Sequence, residues 1–549
     1  MGPWFGACVE CRGYLWALSI GMNPRFLACV TYREEVADIM RKLLKFLTGR
    51  LFISILLILL QLAILIGVVV FATGKWYWSL VFNIISGVMA FFIVTRDENP
   101  AYKIAWMLLI MFLPVYGGLF YVMFGNKKVG RYAQRKISVI KEKYADKIPV
   151  LPGPDLVVRE ALENYDPLLA RQSDYISRIS GFEVWRNTEV EYFPLGEYFF
   201  DRLLVELRKA KKFIFLEYFI IGEGEMWDTV LAVLQQKLRE GIDIRIMYDD
   251  FGSIKTVPAH FDRKLRSMGF KVAVFNPIKA HLNPKLNYRD HRKICVVDGN
   301  VGFNGGLNLA DEYINREIRF GHWKDTAVML RGDAVWNLSQ MFLQLWMFSA
   351  GEYLDMLKFL PTLQCKTDGF VQPFGDSPLD DQNVAENAYI QIINCAKDYV
   401  WITTPYLILD NEMITALRIA AQSGVDVRII TPNYPDKIYV HPVTRSYYKV
   451  LLEAGVKIYE YTPGFIHAKM FVCDDTVSIV GTTNMDYRSF YLHFECGVAF
   501  YGSSVVHRVR EDMARTLEVS REISLKEVYA TPLPTRFIRS LLRLFAPLM

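Results

Sequence analysis

One polar pattern occurs twice in this chain of 549 residues and constrains the fold and the chemistry more than any other feature. The first copy consists of His291, Lys293, Asp298 and Asn308, and the second of His467, Lys469, Asp474 and Asn484. In both copies Lys lies two residues after His, Asp seven after it and Asn seventeen after it. A spacing shared by four polar positions is hard to obtain by chance, so the chain is predicted to contain two similar units.

A strand would carry the His and Lys of each copy on one face, because side chains two apart in a strand point the same way. Apolar residues follow both motifs, at 294–297 and 470–473, as in a buried strand. If two such strands meet, two imidazoles, two ammonium groups and two amides surround one pocket. This set of side chains predicts a site that handles phosphate.

Each residue type in this pocket suits phosphodiester chemistry. A neutral imidazole can attack an anionic phosphodiester, and a covalent phosphohistidine divides one difficult displacement into two easier ones. The second imidazole, when protonated, can give its proton to the leaving alcohol and later take one from the acceptor. Two Lys and two Asn would hold the non-bridging oxygens. No cofactor or metal is expected, since the ligand spacings of a zinc or magnesium site are missing around the motifs.

The motifs and their surroundings resemble bacterial cardiolipin synthases of the phospholipase D superfamily. The resemblance rests on the duplicated HxKxxxxD pattern and on the segments 287–293, 305–313, 322–326 and 484–490. It extends from near residue 50 to the C-terminus. It implies transfer of a phosphatidyl group from one phosphatidylglycerol to a second, with release of glycerol. It also implies His291 as the nucleophile and His467 as the acid and base, although the spacing of the two copies is nearly equivalent.

Other polar residues of the motifs have expected roles as well. The residues expected to contact the phosphate are Asn308, Asn484 and Thr482. The family pattern usually has Ser or Thr where the first copy has Gly306, so a hydroxyl contact is expected only from the second copy. Asp298 and Asp474 belong to the candidate catalytic set, but each also precedes a turn. A structural role, in which the carboxylate caps that turn, is the alternative that the sequence leaves open.

An orienting carboxylate should hold each catalytic imidazole in one tautomer. Glu495 lies on the apolar stretch after the second motif and is the expected partner of His467. Asp325 occupies the comparable place after the first motif and is the expected partner of His291. A surface salt bridge is the alternative role for either carboxylate.

The fold class expected is α/β, with N-terminal transmembrane helices followed by two similar phospholipase D-like domains that share one active site. β-Branched runs at 210–217 and 241–246 flank a helical pattern, and the runs at 396–402 and 424–429 repeat this unit. Parallel strands joined by crossover helices are expected within mixed sheets. The expected domains are 127–365 and 366–549, with the active site at their interface.

Three apolar runs, 51–73, 76–94 and 104–124, predict a membrane region at 51–126. Each is near the roughly 20 residues that cross a hydrocarbon core, and Trp and Tyr cluster at their ends. Basic residues flank the region on both sides, whereas three full spans would place these flanks on opposite sides of the membrane. Either one run does not cross or one basic end is translocated. We expect a multi-pass protein of the bacterial plasma membrane with cytoplasmic catalytic domains.

Residues 1–39, within the N-terminal segment 1–50, are hypothesised to be an upstream extension that is not native. They lack sustained periodicity, and Met40-Arg41-Lys42 precedes the first apolar run as a genuine start would. Cys8 and Cys11 form one CxxC without the second pair of a metal site. The five cysteines beyond the membrane region mostly lie in apolar runs and are expected to be reduced.

The final segment, 536–545, predicts a basic amphipathic helix. Its Arg residues recur at intervals of three and four, opposite Phe537, Leu541 and Leu544. Such a helix can lie on an anionic bilayer or pack onto the catalytic part, and the sequence leaves both open. The basic stretch 127–143 also favours anionic lipid, by about 1 kcal/mol per Lys or Arg near the surface.

Phosphatidylglycerol and anionic membrane lipids are therefore the expected partners. Hydrolytic phospholipase D uses the same site, with water as the acceptor, and is the main alternative. A nuclease is disfavoured, because the chain has a hydrophobic front end and no long basic tract with interleaved aromatic residues. A non-enzymatic membrane scaffold would be expected to have lost one of the histidines. The oligomeric state is not indicated by the sequence.

Overall fold

The computed structural model describes residues 76–96, 99–113, 156–278, 288–379 and 382–548, with scattered positions at 56–74 and 117–139. All elements discussed below belong to one compact unit, Val68–Ile278 with Asn283–Met549. The described helices are α1 Trp76–Val94, α2 Pro100–Phe112, α3 Leu156–Tyr165, α4 Pro167–Ser180, α5 Gly196–Lys209, α6 Glu225–Arg239, α7 Asp250–Ser253, α8 Phe261–Ser267, α9 Val335–Ala350, α10 Val384–Cys395, α11 Asn411–Gln422, α12 Val440–Leu452, α13 Tyr487–Tyr491, α14 Ser504–Glu518, α15 Leu525–Ala530 and α16 Leu533–Leu544. The 3₁₀ helices are Asp311–Ile314, Met356–Phe359 and Ala546–Leu548.

The described strands are β1 Thr188–Phe193, β2 Phe213–Tyr218, β3 Asp243–Asp249, β4 Lys271–Phe275, β5 Arg289–Asp290, β6 Lys293–Val297, β7 Val301–Gly305, β8 His322–Lys324, β9 Ala327–Gly332, β10 Phe370–Asp376, β11 Tyr399–Thr403, β12 Leu407–Ile408, β13 Asp426–Pro432, β14 Lys457–Tyr461, β15 Gly464–Ile466, β16 Met470–Cys473, β17 Val477–Gly481, β18 Met485–Asp486, β19 His493–Tyr501 and β20 Ser520–Glu522.

Two mixed sheets with the same strand arrangement form the centre of this unit. The first has the order β1-β9-β7-β6-β2-β3-β4, and the second has the order β10-β19-β17-β16-β11-β13-β14-β20. Within them, β2-β3-β4 and β11-β13-β14 are parallel. The other pairings along both paths are antiparallel. The predicted duplication of an α/β unit with mixed sheets is therefore confirmed.

The predicted strand–helix–strand units recur in both halves. Helix α6 joins β2 to β3, and helix α11 joins β11 to β13, each as a crossover between parallel strands. The strands that carry the motifs, β6 and β16, are buried along their whole length. Strands covered on both faces have continuous apolar runs rather than alternating ones, which explains the sequence after each Lys.

Two short parallel ladders connect the halves beside the motif histidines. In one, β8 of the first half pairs with β15 of the second, so that Lys324 faces Ile466. In the other, β19 of the second half pairs with β5 of the first, so that Phe494 faces Asp290. In each ladder, the strand that ends just before a motif histidine lies against a strand of the other half.

The apolar front end is described only in part. Within the described residues, α1 is the one helix long and apolar enough to cross a membrane, and it coincides with the predicted run 76–94. Helix α2 has 13 residues, begins at Pro100 after the cap residue Asn99, and ends where Leu113 leaves the helical conformation ahead of Pro114. The run 104–124 is thus not one continuous helix. Residues 1–50 lie outside the described part, as does most of the run 51–73.

Candidate active site

The two motif histidines lie just before β6 and β16, and the backbone of the other half holds each of them. The His291 N–H donates to the Phe494 carbonyl at 2.9 Å, and the His467 N–H donates to the Lys324 carbonyl at 2.7 Å. Both histidines are 7% exposed. The charge of Lys469 acts on His291, and that of Lys293 acts on His467, so the two motifs share one site as predicted.

A carboxylate from the opposite half contacts each imidazole. The His291 Nδ1 lies 2.9 Å from Glu495 Oε2, and the His467 Nδ1 lies 2.5 Å from Asp325 Oδ2. Both carboxylates are completely buried. Glu495 and Asp325 therefore occupy imidazole-orienting positions, but the pairing predicted from the sequence is wrong. His291 contacts Glu495 rather than Asp325, and His467 contacts Asp325 rather than Glu495.

The two inter-half ladders explain this exchange. Strand β19 runs beside β5, which brings Glu495 next to the segment that follows β5 and contains His291. Strand β8 runs beside β15, which brings Asp325 next to His467 at the end of β15. Each carboxylate follows its own motif in the chain but lies beside the histidine of the other motif.

The motif lysines are buried beside the histidines. The Lys293 Nζ donates to the His291 carbonyl at 2.5 Å, and the Lys469 Nζ donates to the His467 carbonyl. Burial lowers the pKa of Lys293 to about 8 and that of Lys469 to about 7. A bound phosphate anion would favour the charged ammonium forms and so raise both pKa values.

Both imidazoles are neutral in the unliganded site. Burial, followed by the charges of Lys293 and Lys469, lowers the pKa of His291 well below its usual range. Burial and the charge of Lys469 lower the pKa of His467 to about 4, against the opposing effect of Asp325. Burial opposes ionisation of Asp325, but the interaction with His467, including its hydrogen bond, and the charge of Lys469 outweigh it and lower the pKa of this carboxyl. A carboxylate facing Nδ1 leaves Nε2 of each ring for the substrate.

The hydroxyl of Thr482 is bonded within the protein, and its contact with a phosphate stays a prediction. It is completely buried, donates to Glu495 Oε2 at 2.5 Å and accepts from the Cys496 N–H at 2.9 Å. In the other copy, a Cβ at Gly306 would lie 2.0 Å from Asp325 Oδ1. The Ser, Thr or Gly position of the motif therefore adjoins the orienting carboxylate in both halves.

The two motif asparagines are buried in matching positions and bonded within the protein. The Asn308 Nδ2 donates to the Tyr313 hydroxyl at 2.6 Å, and its Oδ1 accepts from the Ile220 N–H at 2.9 Å. The Asn484 Nδ2 donates to the Ser489 hydroxyl at 3.1 Å. Their contact with a phosphate stays a prediction.

Asp298 and Asp474 follow the motif strands β6 and β16, at the ends that are far from the histidines. Both adopt positive φ, 55° and 49° respectively, in the turns after β6 and β16. The carboxylate of each accepts three backbone N–H groups at 2.7–3.0 Å: those of Lys211, Lys212 and Phe213 for Asp298, and those of Lys397, Asp398 and Tyr399 for Asp474. These bonds hold the starts of β2 and β11, which supports the structural alternative, and a catalytic role of either Asp stays a prediction.

Two further residues adjoin the site and were missed in the sequence. The ring of Tyr313 lies 5.6 Å from that of His467, and the ring of His493 lies 5.6 Å from that of His291. Burial lowers the pKa of His493 to about 3. Its place two residues before Glu495 in β19 was the available signal, because alternate residues of a strand share a face.

One group of described residues has the donor set of a metal site. His291, His493 and Glu495 each offer one ligand atom, and these atoms lie within 4.8 Å of one another. Glu495 already contacts His291 and Thr482, and the charges of Lys293 and Lys469 act on this region. The positive charge of the nearby ammonium groups disfavours a metal cation at this position. Imidazole and lysine side chains can act on a phosphodiester without a metal.

Two α/β halves that share one site of paired histidines and lysines have the architecture of a phospholipase D-like protein. Residues 203–346 and 389–517 match the family model described as cardiolipin synthase, PLD-like domain, and residues 84–126 match the phospholipase D-nuclease N-terminal model. A phosphatidylserine synthase from Haemophilus influenzae has the same fold, with a TM-score of 0.53 at 12% identity over 69% of this chain and 98% of that one.

Full-length relatives narrow the assignment. The chain is 34% identical to a cardiolipin synthase from Geobacillus kaustophilus, over 89% of this chain and 98% of that protein. It is 36% identical to a cardiolipin synthase from Alkalihalophilus pseudofirmus, over 84% of this chain and 91% of that protein. An uncharacterised protein from Streptococcus mutans is 44% identical to the chain, over 83% of this chain and 99% of that protein. The chain therefore belongs to the cardiolipin synthase family of phospholipase D-like proteins.

Proposed function

We propose that this protein is a cardiolipin synthase that transfers a phosphatidyl group between two phosphatidylglycerol molecules and releases glycerol. The observation that carries the proposal is the pair of buried imidazoles, each held at Nδ1 by a carboxylate of the opposite half. Such a pair supplies one nucleophile and one acid–base group to a single phosphodiester. The family membership given by the relatives supports the same activity.

In the first step, His291 Nε2 attacks the phosphorus of the donor lipid. The bond from phosphorus to the glycerol oxygen breaks, and protonated His467 gives its proton to that oxygen. In the second step, His467 takes the proton of a hydroxyl of the acceptor phosphatidylglycerol. The acceptor oxygen attacks phosphorus, the phosphorus–nitrogen bond breaks, and His291 is regenerated.

The electrostatics of the site support these two roles. The pKa of His291 lies well below its usual range, which keeps this imidazole neutral as a nucleophile must be. His467 lies 2.5 Å from Asp325, whose lowered pKa keeps it anionic and able to stabilise an imidazolium. A bound phosphate anion would raise the pKa of His467 from its value of about 4. Lys293 and Lys469 would hold the non-bridging oxygens as charge shifts.

We also propose that the protein acts at the bacterial plasma membrane, with the catalytic halves in the cytoplasm. Helix α1 could provide one membrane span. The cysteines Cys295, Cys473 and Cys496 are buried free thiols, which suits a reducing compartment. The substrate partners are phosphatidylglycerol and anionic membrane lipids, and nucleic acid is not among the proposed partners.

The test uses detergent-purified protein and labelled phosphatidylglycerol as the only lipid, in a metal-chelating buffer. We expect cardiolipin and glycerol in equal amounts, and loss of both products in His291→Ala and in His467→Ala. His507→Ala is the matched control, because this histidine is 60% exposed on α14. Phosphatidic acid without cardiolipin would instead identify a hydrolase. A labelled phosphoenzyme that persists in His291→Ala would overturn the assignment of the nucleophile.

A further inference from the structure

The C-terminal helix α16 is oriented with its apolar face outward. The side chains on that face are 36–76% exposed: Leu533, Phe537, Ile538, Leu541 and Leu544. A helix on the surface of a soluble domain normally does the opposite and packs its apolar face against the core. Within the part of the chain that the structure describes, no element covers this face.

The arginines of α16 lie on the side that packs against the catalytic part. The Arg543 guanidinium lies 4.1 Å above the ring of Tyr447 and donates to the Ser446 carbonyl at 3.4 Å, both on α12. Partial burial and the charge of Arg445, also on α12, lower the pKa of Arg539. Leu542, which is on the same side, packs against the main hydrophobic core. The basic side of α16 thus faces the protein and is only partly exposed.

The C-terminal end of α16 lies beside the apolar helix α2. The 3₁₀ helix Ala546–Leu548, which follows α16, contacts α2 and α13. In the same region, the Asn99 Nδ2 donates to the Tyr491 hydroxyl at 2.9 Å, which attaches the start of α2 to the catalytic part. Ala101 and Ala546 belong to the same packed region. The C-terminal end of α16 is therefore next to α2, which follows the candidate membrane span α1.

We propose that the apolar face of α16 inserts into the lipid bilayer, in the plane of the membrane surface, and docks the catalytic part there. Burying these five side chains in the acyl boundary region would remove their apolar surface from water. The occupant is lipid because the 3₁₀ helix that continues α16 contacts the apolar helix α2, which follows the candidate membrane span α1. The arginines, in this arrangement, hold the helix on the protein instead of binding lipid head groups. The effect on catalysis rests on the proposed function, whereas the insertion itself does not.

The first test measures how deep α16 lies in the bilayer. It uses a nitroxide label at Phe537→Cys in full-length protein reconstituted into phosphatidylglycerol–phosphatidylethanolamine vesicles. Val205→Cys is the control, because Val205 is 39% exposed on α5 of the first half. The background replaces five other cysteines by Ser: Cys8, Cys11, Cys29, Cys365 and Cys395. We expect the label at 537 to be reached by oxygen and shielded from a water-soluble nickel chelate, and the label at 205 to show the reverse.

A label at 537 that the nickel chelate reaches as freely as the one at 205 would overturn the proposal. So would a label shielded from both reagents, since that result indicates a protein partner or a second copy of this chain. Both outcomes are independent of enzymatic activity. A failure of the proposed function would appear separately, as wild-type protein that makes no cardiolipin.

The second test separates docking from chemistry. The double variant Phe537→Glu/Leu541→Glu should transfer phosphatidyl groups in vesicles at least about tenfold more slowly than wild type. A tenfold change corresponds to losing the burial of one large apolar side chain. Its rate on short-chain phosphatidylglycerol in detergent should stay unchanged, and Val205→Glu should match wild type in both assays. Ser540→Leu, which adds an apolar side chain among the exposed positions of α16, should keep or increase the vesicle rate. Equal loss in detergent and in vesicles would contradict a docking role.

Discussion

The Nδ1 atom of His291 lies 2.9 Å from Oε2 of Glu495, a residue of the opposite half of the chain. His467 and Asp325 form the reciprocal pair at 2.5 Å. Neither half therefore contains both an imidazole and the carboxylate that orients it. Assembly of the two halves and formation of a competent site are the same event, so neither half alone should be active.

Replacing Glu495 by Gln should abolish most activity without unfolding the protein. The amide keeps the shape of the side chain but allows the wrong tautomer of His291. Loss of the equivalent carboxylate in a catalytic triad lowers kcat by a factor on the order of 10⁴. Thr482→Val should cause a smaller loss, because it removes the hydroxyl bonds to Glu495 and to the Cys496 backbone but leaves the Glu495 carboxylate in place. Rates measured on folded protein, checked by circular dichroism, test this order. A Glu495→Gln variant with wild-type kcat would refute the orienting role.

Gly306→Ala should disturb the other imidazole through its carboxylate. The new Cβ would lie 2.0 Å from Asp325 Oδ1, so Asp325 must move away from His467. A misplacement of this size costs about 10²-fold in rate. Gly497→Ala is the control, because its Cβ would meet the Phe374 ring at 3.2 Å and Ile479 Cγ2 at 3.4 Å, and neither side chain touches the two imidazoles or their carboxylates. Equal activities of the two variants would contradict the role of Gly306 in leaving room for Asp325.

The pH dependence of kcat/KM should show the two motif lysines on its alkaline side, in addition to a gradual decrease with rising pH from loss of the His467 proton, whose pKa is about 4 in the free enzyme. As pH rises through about 7 and 8, Lys469 and Lys293 lose their charge in the free enzyme, so kcat/KM should fall. On the acid side, the lowered pKa of His291 should prevent a decline near pH 6.5, where an ordinary imidazole becomes protonated. A sharp acid-side decline at pH 6.5 would contradict this picture.

The stability of the protein should fall as the solution becomes more acidic. His467 has a pKa of about 4 in the folded protein, compared with 6.5 when exposed. Between these values the unfolded chain binds a proton that the folded chain does not, so the free energy of unfolding decreases as pH falls through this window. Thermal denaturation of wild type and His467→Gln between pH 7 and pH 4 would show it, since the variant should have a weaker pH dependence.

Asp298→Asn should reduce stability and leave the chemistry intact. Asn tolerates the positive φ of this position. Its amide has one acceptor oxygen for the three backbone N–H groups, whereas the Asp298 carboxylate has two. We expect a loss of about 1–3 kcal/mol in the free energy of unfolding. The kcat of the folded fraction should equal that of wild type. If kcat fell at unchanged stability, Asp298 would belong to the catalytic set after all.

Much of the site could be predicted from the sequence because its determinants are local. The spacing of His291 and Lys293 places both on one side of an extended segment, and the repeat at His467 and Lys469 implies a second equivalent segment. The β-branched runs and the crossover pattern likewise depend on neighbours in the chain. These features predicted two α/β halves, a shared pocket and the residue types that surround it.

The relationships that the sequence could not determine are those between distant segments. Glu495 follows the motif of His467 in the chain, yet the pairing of β19 with β5 places it against His291. Periodicity likewise defined two faces of α16 but not which face would be covered, and α12 covers the basic one. Local spacing determines which side chains share a face. Only the packing of whole elements, whose energy is summed over many distant contacts, decides what that face meets.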